Sequence, residues 1–482
     1  MNTENLVDKL NRLQRELDSG TLLDLNELYN TAYLVFSTTN LNWRGREDAH
    51  NILRSLILST NGYISSELTL SSEHFGLAVL AASAKAFNLA VKNMRIDHSV
   101  IYPKEIKPAI KKIGKINLGF LGSDFCNQAT MLLAIEFIES LDRNRFSVTC
   151  FDHGNYTQDQ LNSDMRSRVL RAFDEHVIIP WEDTEGYLIK GIEKHCDLIT
   201  SRNIDILLNM KNPASSAIGI LAKRPAPIQI SFLYYPDTSG FDFMDYIILD
   251  SFVHSYSQYY SEDVLIIDEC YQPNDSTRYR PKGMAFDLPD DCFVFANFSQ
   301  KYKYNPKMFD LWCNILRKPS CYKNNILWLL CDNVEDQNYL LREATLRGVG
   351  DKLVFAKTTD YRTHLERLHR ADLILDTYPC GGHTLTSDAI WAGTPVLSMR
   401  GKDFCSRVSY SISANSGNNK FIADDEYNYL TKAEAYMKDS VRQLVVKQNL
   451  IDDRDNKDIT LFSGSSYATR FTKMLEHYGV IS

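Results

Sequence analysis

The chain has 482 residues, room for roughly three domains at about 150 residues each. With 44% apolar and 24% charged residues it has the make-up of a soluble globular protein, and a net charge of -8 argues against nucleic acid as a partner, which would call for a basic face. No stretch approaches the roughly 18 apolar residues of a membrane span, and the start, MNTENLVDKLNRLQREL, lacks the basic and apolar regions of a signal peptide.

Residues 1–112 read as an all-helical domain. Leu6, Leu10, Leu13 and Leu17 recur at helical spacing, and 22–36, 48–58 and 75–91 read as three more helices. The spacing suggests a degenerate helical repeat that docks a partner, without a clear 34-residue period. Pro103, Pro108 and the lysines Lys107, Lys111 and Lys112 mark a linker.

Residues 113–275 alternate between strand and helix. Strands are predicted at 116–121, 146–151, 204–208, 228–233, 246–249 and 264–267, with a helix at 130–141. Such alternation implies a parallel sheet. Residues 271–291, YQPNDSTRYRPKGMAFDLPDD, hold proline, glycine and few apolar side chains and read as a linker. A second series occupies 285–465, with strands at 293–298, 326–330 and 353–355 and a helix at 306–316. A final helix falls within 466–482. The fold class is therefore α/β, with two Rossmann-like parallel-sheet domains facing across a cleft (the GT-B architecture) after an all-helical domain. The same pattern fits a two-domain dehydrogenase. However, Gly119 and Gly122 are the only glycines after the first strand, so GxGxxG is absent.

The most informative stretch is LILDTYPCGGHTLTSDAIWAGTPVLS, Leu373 to Ser398. A strand, Leu373-Ile374-Leu375, leads through Asp376, Thr377 and Pro379 to Gly381-Gly382, then His383, Thr384 and a short helix from Leu385 to Trp391. Glycines admit a ligand close to the backbone, and a helix N-terminus suits phosphate. Asp388, one turn inside, is placed to reach a sugar hydroxyl. The plainer reading is an ordinary turn with a satisfied histidine. Lys303, after the strand ending in Asn297-Phe298-Ser299-Gln300, is placed to meet a phosphate, or is a surface lysine. His364 and Arg367 share a helix face. They form either the wall of a base pocket or part of a solvated face with Arg362, His369 and Arg370. Asp453-Arg454-Asp455 has the spacing of a metal–nucleotide DxD signature but follows a helix in a polar run, and reads as a solvated loop. The ten cysteines stand singly without CxxC, so no zinc or redox motif is indicated. Cys126, Cys196, Cys313 and Cys331 sit among apolar residues as reduced thiols, which points to a cytoplasmic location.

Six blocks in order resemble the catalytic region of glycosyltransferase family 41, the O-linked N-acetylglucosamine (O-GlcNAc) transferases, over roughly Ile116 to Tyr478. The first is Ile116–Phe120 with Ser123-Asp124-Phe125. The second is Arg224–Gln229 with Tyr235-Pro236 and Thr238-Ser239-Gly240, continued by the third, Phe241–Asp250. Asn297–Gln300 with Tyr302-Lys303, the stretch Cys380 to Pro395, and Ser406-Arg407-Val408 complete the set.

The resemblance implies an inverting enzyme that uses UDP-GlcNAc or UDP-glucose and needs no metal or other cofactor. It implies that Lys303 neutralises the departing UDP, with Gln300 facing the diphosphate or sugar. Gly381, Gly382, His383, Thr384 and the Leu385 backbone would seat the pyrophosphate. Asp388 would bind ribose, His364 and Arg367 would line the uracil pocket, and Cys380 would lie near the sugar. The chain departs from the family at several points. Gln128 and Thr200 stand where catalytic-side histidines are usual, Tyr361 replaces a lysine, Leu385 a threonine and Asp237 a glycine. Gln128 thus occupies a catalytic position without a proton-accepting group, where general base catalysis is typically worth about 10²–10⁴-fold. The expected function is transfer of GlcNAc to Ser or Thr of a protein acceptor. Glucose transfer to asparagine or an existing sugar is an alternative. Another is a non-catalytic subunit or chaperone for a partner glycosyltransferase. Partner binding or homo-oligomerisation is assigned to the helical region, with no nucleic acid and no membrane span.

Overall fold

The computed structural model describes residues 3–18, 110, 113–180, 191–211, 218–239, 241, 243–254, 260–289, 291–456 and 459–482. The helix α1, Thr3–Asp18, is present, with Leu10 and Leu13 fully buried. The helices expected at 22–36, 48–58 and 75–91 and the linker prolines lie outside the described residues. From residue 110 onward the chain divides into two compact units. One ends at Ser276 and is completed by Phe462–Ser482; the other is Thr277–Leu461.

The first unit is built on a seven-stranded sheet of β1 (Ile116–Gly122), β2 (Phe146–Asp152), β3 (Glu175–Ile178), β4 (Ile206–Asn209), β5 (Ile228–Ser231), β6 (Tyr246–Leu249) and β7 (Asp263–Ile266). The order is β3-β2-β1-β4-β5-β6-β7, and neighbouring strands are parallel. Leu118 sits between Val148 and Ile206. Continuous apolar runs such as INLGFLG suit strands covered on both faces. The helix α2, Ala129–Glu139, packs against the C-terminal helix Gly464–His477, with Phe137 edge-on to Tyr467 and Phe471 at 5.0 and 5.1 Å. The short helix α3, Ile192–Thr200, leads into β4.

The second unit holds β8 (Cys292–Asn297), β9 (Asn324–Leu330), β10 (Leu353–Ala356), β11 (Leu373–Leu375), β12 (Val396–Met399) and β13 (Ile422–Ala423). Their order is β10-β9-β8-β11-β12-β13, again parallel. The chain winds outward from β8 to β10 and then returns to β11 on the other side of β8. Such a reversal opens a crevice at the carboxyl ends of the two central strands. The helices include α4 (Pro306–Leu316), α5 (Val334–Leu346), α6 (Tyr361–Arg370), α7 (Thr384–Trp391), α8 (Phe404–Ala414) and α9 (Ser440–Asp455), with a further helix at Glu426–Met437. Phe293, Phe309, Trp312, Leu327, Leu375 and Tyr436 belong to the unit's core. Asn305 caps α4 by accepting from the Met308 amide at 3.0 Å, and Pro306 opens its first turn.

Two sequence expectations change, and a helix is added. Helix α5 was not anticipated, because only Leu340 and Ala344 of its apolar residues are buried. The described residues of the run at 271–291 form no helix or strand, and the run carries the boundary between the two units at Ser276–Thr277; its first part, however, is buried rather than solvated. Tyr271, Gln272, Asn274, Asp275 and Arg278 are all buried. The Asp453-Arg454-Asp455 triplet is the last turn of α9 rather than a loop. Arg454 there donates to the Trp391 carbonyl at 3.1 Å and lies over its ring, which draws the polar run onto α7. Among the described residues, no helix is long and apolar enough to cross a membrane.

Candidate functional site

Strands β8 and β11 are neighbours, with Leu373 beside Phe295. The turns beyond their carboxyl ends therefore share the crevice of the second unit. After β8, Asn297 ties the two ends together: its Nδ2 donates to the Leu375 carbonyl at 2.6 Å and its Oδ1 accepts from the Ser299 amide at 2.8 Å. A 3₁₀ turn, Lys301–Lys303, comes next, preceded by the exposed Gln300. Lys303 is half-buried, and its Nζ donates to the Gly381 carbonyl at 2.7 Å.

The glycine turn after β11 is built around Asp376, which is buried. Its Oδ1 accepts from the Gly382 amide at 2.9 Å and its Oδ2 from Ser409 Oγ at 2.5 Å. Burial holds this carboxyl above its usual range. Crowding explains the glycines. A Cβ on Gly381 would stand 2.7 Å from Ser409 Oγ, and one on Gly382 would stand 2.7 Å from Thr386 Oγ1. His383 is the residue before α7, and its Nε2 is enclosed without a hydrogen-bond partner. Burial, then the Lys303 charge, lowers its pKa to about 3, so the ring is neutral near pH 7. Thr384 and Leu385 occupy the first turn of α7, where N–H groups lack intrahelical acceptors. Cys380 is half-buried with its thiol 3.9 Å from the Gly381 carbonyl.

Helix α6 supplies a wall. Arg367 is buried and lies 4.2 Å over the Phe298 ring. It donates to His364 Nδ1 at 2.8 Å and to the Lys357 carbonyl at 2.9 Å. His364 therefore accepts at Nδ1 and carries its proton on Nε2. Burial, then the Arg367 charge, takes its pKa down to about 3. The Tyr361 ring stacks on His364 at 6.4 Å and 28°, and Phe298 meets it edge-on at 6.1 Å. Flat rings backed by a guanidinium suit a heterocyclic base. His364 and Arg367 thus leave the solvated face to Arg362, which is exposed.

Asp388 is buried. Its Oδ1 accepts from Tyr361 Oη at 2.8 Å and Arg278 Nη1 at 2.9 Å, and its Oδ2 lies 3.9 Å from His364 Nε2. Burial raises its pKa while the Arg278 charge opposes this. Arg278 was missed in the sequence because a lone arginine in a polar run carries no periodic signal.

Lys303, His364, Arg367, Cys380–Leu385 and Asp388 thus all belong to Thr277–Leu461. Gln128 and Thr200 belong to the other unit. Gln128 precedes α2, is exposed and makes no capping hydrogen bond through its side chain. Thr200 ends α3, with its hydroxyl on the Cys196 carbonyl at 2.9 Å. It therefore sits at the amino end of β4, whereas Gln128 lies beyond the carboxyl end of β1. Within this unit the sheet order reverses between β1 and β4. There Asp124 Oδ1 and Lys211 Nζ pair at 3.0 Å, and Thr130 Oγ1 donates to Asp124 Oδ2 at 3.0 Å. Lys211 Nζ also lies 4.3 Å from the Tyr234 ring centroid.

Two doubly wound parallel sheets in one chain are the GT-B fold. Glycosyl transferase family 41 matches residues 72–282 and 276–471, and the chain belongs to that family. A relative from Arabidopsis thaliana, described as a probable UDP-N-acetylglucosamine–peptide N-acetylglucosaminyltransferase SEC, is 30% identical over 63% of this chain and 31% of its own length. The UDP-N-acetylglucosamine–peptide N-acetylglucosaminyltransferase of Caenorhabditis elegans is 24% identical over 66% of this chain and 37% of its own. The chain thus spans about a third of these curated relatives, 31% and 37%. A solved structure of a Thermobaculum terrenum O-GlcNAc transferase mutant matches with TM-score 0.68 at 17% identity, covering 99% of this chain and 97% of that one. That likeness concerns the fold.

Proposed function

We propose that the chain is an inverting, metal-independent protein glycosyltransferase of the cytoplasm that moves GlcNAc from UDP-GlcNAc to Ser or Thr of a protein acceptor. The observation carrying this reading is Lys303 bound to Gly381 at the N-terminus of α7, in the same unit as the His364–Arg367 wall. In this reading the uracil lies on the wall and the ribose meets Asp388. The diphosphate sits on the amides at the start of α7, between Lys303 and His383. As the acceptor oxygen attacks the anomeric carbon, the bond to UDP breaks and negative charge grows on the diphosphate. The Lys303 ammonium and the helix N-terminus stabilise that charge without reorganising. The neutral His383 adds a hydrogen-bonding group and no competing charge. Gln300 faces the diphosphate or sugar. Cys380 lines the sugar side.

The acceptor proton needs a base. Gln128 has none to offer near neutral pH, so a donor phosphate oxygen takes the proton. The activities of the curated relatives, as their names state them, support a peptide as acceptor. Incubation with labelled UDP-GlcNAc or UDP-glucose and a mixture of cytosolic proteins tests the reading: label should enter protein from UDP-GlcNAc. Label from UDP-glucose alone would support the glucosyltransferase alternative. Gln128 at the family's histidine position favours a second reading, a UDP-sugar-binding subunit that acts with a partner glycosyltransferase. That reading requires UDP binding with no transfer from either donor.

A further inference from the structure

Arg278 lies one residue inside the second unit, and its side chain is 1% exposed. Its Nη1 reaches Asp388 Oδ1 at 2.9 Å and Ser387 Oγ at 3.2 Å. The backbone around it is pinned to the two helices that carry the candidate nucleotide site. Tyr279 Oη donates to Glu366 of α6 at 2.7 Å, and the amides of Lys282 and Gly283 donate to the same carboxylate at 3.1 and 3.0 Å. Trp391 of α7 donates from Nε1 to the Tyr279 carbonyl at 2.8 Å. The guanidinium is therefore delivered to Asp388 from a fixed strap rather than from a mobile side chain.

Two donors, Arg278 and Tyr361, fill Oδ1 of Asp388. Oδ2 is left toward His364, 3.9 Å from its Nε2. We propose that Arg278 is a positioning residue for the donor nucleotide: it fixes the Asp388 carboxylate with Oδ1 engaged, so that Oδ2 is the oxygen offered to a ribose hydroxyl of a bound nucleoside diphosphate. This rests on the nucleotide reading of the same site. Loss of the guanidinium leaves a buried carboxylate short of its cationic partner, which turns or takes up a proton and then accepts the hydroxyl less well.

A double-mutant cycle on the full chain, read by calorimetric titration with UDP, tests it. Arg278→Gln should weaken UDP by about tenfold, the scale of one charge-assisted hydrogen bond. In an Asp388→Asn background the same change should alter UDP affinity less than about twofold, since the path through Asp388 is already gone. Equal losses in both backgrounds, or no loss in either, would overturn the proposal. Thermal melting without ligand checks that each variant folds. Should Arg278→Gln fail to fold, the cycle runs with Arg278→Lys, expected to lose about threefold and only beside native Asp388. Failure of the unmodified chain to bind UDP is a separate outcome, and it overturns the nucleotide reading together with this proposal.

Discussion

Lys303 donates from Nζ to the Gly381 carbonyl at 2.7 Å, joining the turn after β8 to the glycine turn after β11. The ammonium is thereby held at the start of α7, where a diphosphate would need it. Lys303→Ala should lower sugar transfer by about 10²–10³-fold, the usual cost of losing one preorganised electrostatic group. Because Lys303 is half-buried, unfolding stability should change by less than about 1 kcal/mol. Labelled transfer and urea unfolding of the variant check both halves.

The glycine pair makes a packing prediction. At Gly382 a methyl group would press on Thr386 Oγ1 from 2.7 Å, inside the first turn of α7. Gly382→Ala should destabilise the chain by about 1–3 kcal/mol, as overpacking does, and weaken UDP at the same time. Urea unfolding and a UDP titration give the two numbers. Loss of UDP affinity without loss of stability would point to contact with the ligand rather than crowding.

Acid stability should carry the signature of buried neutral histidines. Burial, then the Lys211 charge, lowers His153 from 6.5 to about 4. Its unfolded form binds a proton below about 6.5 while the folded form does not. The stability tied to it is therefore fully present above about 6.5 and falls as the pH drops toward 4. By linkage the loss is about 2 kcal/mol between pH 7 and 5. In His153→Gln this titration is gone, so the drop in unfolding free energy from pH 7 to 5 should be smaller than in the unmodified chain by about that amount. An unchanged pH slope would mean that His153 is protonated in the folded state.

The first unit offers a separable test. Asp124 and Lys211 meet at the reversal of its sheet, whereas Gln128 is exposed and lacks a proton-accepting group. Asp124→Asn should reduce transfer by less than about tenfold, since a donor phosphate oxygen rather than Asp124 takes the proton, and leave UDP affinity within about twofold. Gln128→Ala should cost transfer less than about tenfold, because no base is removed. Initial rates and UDP titrations on the same preparations check this pair.

Much of this was legible in the sequence, for local reasons. Buried parallel strands announce themselves as apolar runs, so β1, β8, β9 and β11 were found within a residue or two. Gly381-Gly382 followed by a short helix marked the turn. Long-range pairing was not legible. The partner of Asp388 is Arg278, 110 positions away in a stretch with no periodicity. The burial of His364 and Arg367 depends on Phe298 and Tyr361 closing over them, and from the residues alone that helix face looks solvated. Helix α5 escaped because its buried face is narrow. Thr200 was aligned by position along the chain, yet it falls at the amino end of β4, away from the carboxyl end where Gln128 lies.

In the proposed function, Thr277–Leu461 holds a UDP-sugar through Lys303 and Asp388. Calorimetric titration of the full chain with UDP, compared with the Lys303→Ala, Asp388→Asn double variant, tests it most directly. One UDP per chain is expected for the unmodified protein, with a loss of affinity of about 100-fold or more in the variant, the sum of two charge-assisted contacts. No binding to the unmodified chain at millimolar UDP, or equal binding by the two proteins, would contradict it.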